Sequence, residues 1–142
     1  MRMHQTNLRI FFVALLFTFG PYCIASQNKS GKAKAEHRLT GTYSDMYYNA
    51  QGGDILGTEI RIAYTRKGFQ GVIQFSEGAP EELVVVDIQV KNDAVSFAVP
   101  EPSPYAGKFT GNIRDGVLSG EFQYKSGGAN KVELKKGKSY WD

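Results

Sequence analysis

The chain has 142 residues, a formal charge of +3 from 17 Lys+Arg against 14 Asp+Glu, one cysteine and two histidines. Cys23, His4, Arg2 and Arg9 all fall within residues 1–26, which read as an export leader, so the remainder has no thiol, the single imidazole of His37 and a charge near +1. That inventory excludes a stapling disulfide and a zinc site of three or four N or S ligands, and it leaves nucleic acid an unlikely partner.

Arg2 and Arg9 flank the start, Ile10 to Phe19 form an apolar run of ten residues, and Gly20-Pro21 breaks it before a small-residue cleavage site after Ala25 or Ser26. A membrane-spanning helix needs about twenty apolar residues, so this run predicts a signal segment and no stable membrane anchor. A lipid-modified Cys23 is the rival, but Gly-Pro-Tyr precedes it where a Leu-x-small approach is usual. The expected location is therefore periplasmic or extracellular. Residues 27–36 carry Lys29, Lys32 and Lys34 in a polar stretch that reads as a basic tether. Asn28-Lys29-Ser30 matches a glycosylation sequon, which matters only in a eukaryotic secretory pathway. Residues 37–142 are slightly acidic and long enough for one domain, whose core must supply about 5–10 kcal/mol without covalent help.

Beyond residue 37 no amphipathic helical repeat escapes a Gly or Pro, while apolar and polar residues alternate repeatedly. Taken in chain order, the alternation predicts about eight strands near 38–44, 58–66, 69–76, 82–90, 94–99, 107–113, 117–124 and 131–135. Lys67-Gly68, Asn92-Asp93, Asp115-Gly116 and Gly127-Gly128 supply tight turns between neighbours. An all-β, antiparallel up-and-down meander follows. Closing it into a barrel removes both exposed edges, and glycines inside the runs (Gly41, Gly71, Gly107, Gly111, Gly120) permit the coiling that closure needs. A two-sheet sandwich is the alternative.

Three segments depart from simple alternation. Asp45 to Asp54 holds Tyr47, Tyr48, Gly52 and Gly53 between the first two strands, and reads either as a lid or as a longer hairpin. In the hairpin reading Leu39, Tyr43 and Tyr47 share a face, the chain turns at Gln51 to Asp54, and Leu56 continues in phase with Ile60. Leu83 to Ile88 is apolar on both faces, as expected of a covered strand, a dimer contact, or a strand shielded by the Pro100-Glu101-Pro102-Ser103-Pro104 loop. Tyr140-Trp141 ends the chain, either plugging one barrel end or contacting a partner protein.

Catalytic machinery is sparse. His37 sits at the tether junction, a poor place for a triad base. Asp45, Asp54 and Glu59 read as solvated surface acids; acid–base work needs a desolvated partner, and no Asp-x-Asp-x-Asp-Gly order points to calcium. No phosphate loop occurs, so no metal, cofactor or catalytic residue is predicted and the protein is expected not to be an enzyme.

Leu39-Thr40-Gly41-Thr42-Tyr43, followed by a Gly-rich connection and a second strand leading to Phe69-Gln70-Gly71, resembles the start of a calycin-type barrel of the avidin or lipocalin kind. Tyr43 stands where the lipocalin Gly-x-Trp mark has tryptophan, and the likeness is confined to the first third of the mature domain. The resemblance implies a barrel holding a small apolar or amphipathic molecule at one mouth. Avidin-like sites use several tryptophans, whereas only Trp141 is present, so biotin is not implied. The candidate ligand-binding residues are Tyr43, Tyr47, Tyr48 and Tyr105, and the candidate partner contacts are Tyr140 and Trp141. The alternative is a secreted interaction module, such as an enzyme inhibitor; a filled lumen with a protruding aromatic loop would favour it.

Overall fold

A computed structural model of the chain describes residues 38–142; the leader, the tether and His37 lie outside the described residues. Nine strands follow one another: β1 (Gly41–Ser44), β2 (Tyr47–Asn49), β3 (Asp54–Thr65), β4 (Gly68–Gly78), β5 (Val84–Lys91), β6 (Ala94–Val99), β7 (Gly107–Arg114), β8 (Val117–Tyr124) and β9 (Ala129–Gly137). From β3 onward each strand pairs antiparallel with the next, and β1 pairs with both β3 and β9. Eight strands thus form a closed meander barrel with β2 as an appendage. The closure disposes of the sandwich alternative.

The turns work as their residues dictate. Asp115 and Gly116 both adopt positive φ, 50° and 77°, the backbone that a two-residue hairpin needs to match the right-handed strand twist. Lys136 N then donates to Gly116 O at 2.7 Å, tying this turn to β9.

Alternation puts Ile60, Ile62, Ile73, Phe75, Val86, Ile88, Val95, Phe97, Phe109, Ile113, Leu118, Phe122 and Leu134 inside, all buried. The lumen is filled by rings. Phe97 stacks on Phe109 at 4.8 Å between centroids, Phe109 meets Phe122 at 4.8 Å, and Phe122 meets Phe75 edge-on at 5.3 Å. Gly111 and Gly120 face each other across β7 and β8, and a Cβ on Gly120 would lie 2.5 Å from Phe109 Cζ. Their missing side chains make room for that ring.

The 45–54 segment takes the longer-hairpin form. β2 pairs with the first residues of β3, Tyr47 opposite Leu56 and Asn49 opposite Asp54, and the register continues that of β1. Between β1 and β2 the ladder runs through Asp45, whose N donates to Thr58 O at 3.2 Å and whose Oδ1 accepts from Thr58 N at 2.6 Å, while Ser44 Oγ accepts from Met46 N at 3.2 Å. Gly57, at φ 113°, is required opposite, because a Cβ there would sit 2.8 Å from Asp45 O. The result is a three-stranded flap of β2, β3 and β4 at one end of the barrel. Connections 79–83, 100–106 and 125–128 gather at that same end and form its rim.

The carboxyl terminus corrects two expectations. Tyr140-Trp141 does not plug an end; residues 139–141 cross the outer wall. Ser139 Oγ donates to Glu59 Oε1 at 2.7 Å, Tyr140 N donates to Glu59 Oε2 at 2.8 Å, and Trp141 Nε1 donates to Gln74 Oε1 at 2.9 Å. Glu59 faces outward, as its position beside Ile60 requires, yet it is only 8 % exposed because the tail covers it. It is therefore not a solvated acid. A carboxylate under such cover becomes costly if a donor goes while the cover stays, and returns to water if the whole tail goes. Replacing Ser139 to Asp142 by a stop codon is expected to lower stability by about 1–2 kcal/mol through the lost hydrogen bonds, with Ser139→Ala in the full chain, which leaves the tail over Glu59 but removes one donor, losing part of it. Urea unfolding of the three proteins is the measurement; equal midpoints would mean that the tail contributes nothing.

Candidate functional site

The four tyrosines do not converge. Tyr43 is fully buried and its hydroxyl donates to Leu39 O at 2.9 Å, so it is a core residue near the end opposite the rim. Tyr47 and Tyr48 stand on the flap, 54 % and 58 % exposed. The shared face expected of Leu39, Tyr43 and Tyr47 therefore holds only for the first two, since the flap carries Tyr47 past the packed interior. Tyr105 lies at the rim, its ring stacked on Phe75 at 4.2 Å and 19° and meeting Tyr124 edge-on at 6.2 Å.

Tyr105 lines a groove of about 450 Å3. One wall is Glu81 to Val85 leading into β5, the other is the proline loop Pro100 to Pro104, and Phe75 lies at the base. Both walls are tied to the barrel. Glu81 N donates to Phe75 O at 2.9 Å, Ser76 bridges Pro80, and Gln74 Nε2 donates to Glu81 O at 3.1 Å. Across the groove, Ala106 N donates to Ser103 O at 2.9 Å, Lys125 N to Ala106 O at 2.8 Å, and Lys125 Nζ pairs with Glu101 Oε1 at 3.0 Å. Leu83 and Val85 remain 63 % and 64 % exposed, so the proline loop forms a cleft beside them and does not cover them. Their double-sided apolar pattern, which suggested a shielded strand, lines this cleft. Loops pinned on both sides give a preformed recess, the usual condition for a small-molecule site.

The electrostatics of the rim are acidic. Burial pushes the Tyr105 phenol up to about 12, and the carboxylates of Glu77 and Glu81 add to the shift. Burial likewise raises Tyr124, partly opposed by its hydrogen bond to Asn130, and raises Tyr43, partly opposed by Arg38. Such groups hold their protons in the folded state beyond pH 10, where an unfolded phenol has begun to lose its own. Their contribution to stability is thus intact below pH 10 and is lost as pH rises through the raised folded-state values, about 12 for Tyr105. Guanidinium unfolding between pH 9 and 12 is expected to show that decline, and Tyr105→Phe is expected to make it shallower; an identical slope in the variant would remove Tyr105 from the account.

Larger depressions of about 630 and 550 Å3 lie on the outer wall, over β5 to β8 and over β7 to β9. They are floored by solvent-facing strand residues such as Asp87, Gln89, Lys108 and Gln123 in the first and Thr110, Glu121 and Glu133 in the second, with no loop closing over them. Among the described residues no cluster of three or more His, Cys, Asp or Glu could hold a metal ion, and no helix is long and apolar enough to cross a membrane. Sequence reasoning found Tyr105 and set Leu83 to Ile88 against the Pro100–Pro104 loop, but missed Phe75 and the open cleft these residues form with Tyr105. The signal for Leu83 and Val85 was their place on the outward face of a strand where polar residues are usual.

Fold and site together define a closed antiparallel barrel with a filled lumen and an aromatic groove at one rim. No family model, curated protein or solved structure matches the chain.

Proposed function

We propose that this is an exported, non-enzymatic barrel that holds a small amphipathic molecule at its rim, between Glu81–Val85 and Pro100–Tyr105. The observation that carries this reading is the pinned groove of about 450 Å3, apolar along Leu83 and Val85 and backed by the Phe75–Tyr105 stack. That volume falls within the range of small-ligand sites, roughly 300–1,000 Å3. The stacked phenylalanines leave the barrel axis to the protein's own side chains, so the rim takes the role that the calycin resemblance gives to a mouth. Tyr105 is the one expected ligand residue retained in the site; Tyr43, Tyr47 and Tyr48 are not part of it.

A second reading has its own observation. Tyr47 and Tyr48 project from the flap with more than half their surface open, and exposed tyrosines are frequent anchors in protein interfaces. On that reading the protein is a secreted interaction module, with Tyr140 and Trp141 as a further contact. Native mass spectrometry of protein purified from its own host separates the two. A retained small molecule, lost in Leu83→Asp/Val85→Asp, supports the groove. A retained protein, lost in Tyr47→Ala/Tyr48→Ala, supports the flap. A small molecule that survives the groove variant would refute the rim assignment.

A further inference from the structure

The groove has a charge as well as a shape. Glu81 and Glu82 line it beside Leu83, and both are exposed with no ion pair among the described residues. Glu101, on the opposite wall, is neutralised by Lys125 at 3.0 Å. Glu77 acts on Tyr105 from the flap side. Burial is the main reason Tyr105 resists ionisation, and the carboxylates of Glu77 and Glu81 add a negative field at its ring; such a field beside an aromatic ring favours a positively charged guest. No lysine or arginine lines this groove, whereas Lys108 and Lys125 line the neighbouring trough on the outer wall.

Building on the rim-groove reading, we infer that the groove selects organic cations: a cationic head between Glu81 and Glu82, and an apolar body along Leu83, Val85 and Tyr105. The backbone bonds that fix Glu81 and Ser103 keep the head and body subsites at a set spacing, so little ordering is needed on binding. A neutral analogue keeps the apolar contacts and loses the head, while an anionic one meets repulsion.

The test uses three probes of equal chain length at submicellar concentration: octyltrimethylammonium, octanol and octyl sulfate. Amide and methyl shifts of Leu83, Val85 and Tyr105 in two-dimensional NMR locate binding, and the titrations give relative affinity. The cation is expected to bind about tenfold more tightly than the sulfate, with a preference that shrinks at high salt. Glu81→Gln/Glu82→Gln, isosteric at exposed positions, is expected to abolish most of that preference, bringing the affinities of the cation and the sulfate to within about twofold of each other. Equal binding of cation and octanol in the groove would overturn the cation selectivity and leave the rim site standing. Shifts located elsewhere, or no shift with any probe, would remove both.

Discussion

Phe109→Ala is expected to cost about 3–5 kcal/mol of unfolding free energy, the largest effect of any single truncation in the barrel. Phe109 is fully buried between its register partners on the adjacent strands, stacking on Phe97 of β6 and tilting against Phe122 of β8. Its ring tip also occupies the hollow between Gly111 and Gly120, where no neighbouring side chain can move in to close the space. The loss is therefore transfer energy plus an open cavity, at the unfavourable end of what collapse allows. A domain of this size is worth about 5–15 kcal/mol in total, so the variant is expected to melt roughly 15–30 °C lower. Calorimetry of the described domain reads this directly. A drop of only a few degrees would mean that the neighbouring rings repack, and that the lumen is less tightly filled than the stacking implies.

Gly120→Ala attacks the same contact from the other side. The new methyl would lie 2.5 Å from Phe109 Cζ and 2.5 Å from Thr110 O, with Gly111 Cα at 2.7 Å. One of these is a ring and two are backbone, so relief requires β7 and β8 to part. Overpacking of a well-filled core costs about 1–3 kcal/mol, and backbone on the clashing side places this change at the top of that range. The two substitutions are coupled. In a Phe109→Ala background the ring is gone and the methyl enters the vacated space, so the double variant is expected to be less damaged than the two losses added together. Strict additivity in denaturant unfolding would show that the Thr110 carbonyl, and not the ring, sets the cost.

Much of the barrel could be read from alternation and turns, because one face of every strand is buried and a hairpin's register is fixed by its turn. Asn92-Asp93 and Asp115-Gly116 marked their hairpins correctly for that reason, and glycines within strands pointed to coiling. The site was less legible. Tyr43 carried the same aromatic label as Tyr105, yet one ring faces the axis far from the rim and the other caps it, a difference set by strand stagger that no local pattern encodes. Glu59 was harder still. Its outward position was evident from Ile60, but its burial depends on residues 139–141 folding back across the wall, a contact between opposite ends of the chain. Leu83 and Val85 showed themselves as misfits in a polar face, and the proline loop was among the partners their pattern suggested; that it leaves them open along a cleft instead of covering them emerges only in three dimensions.

β1 is four residues long and, among the described residues, is the strand that links β3 to β9, joining Thr42 to Gly137. The other pairings in the wall join neighbours in sequence, or β1 to β3 within the one long hairpin that includes β2, and can zip locally, whereas this seam must bring the two ends of the domain together and pay a long loop-closure entropy first. The cylinder therefore assembles as a curled ribbon whose last act is to latch, with two bare strand edges until then. Amide exchange is expected to be fastest along Thr42 to Ser44 and slowest across Phe109 and Phe122, so that opening begins at the latch and the aromatic stack is the last part to yield.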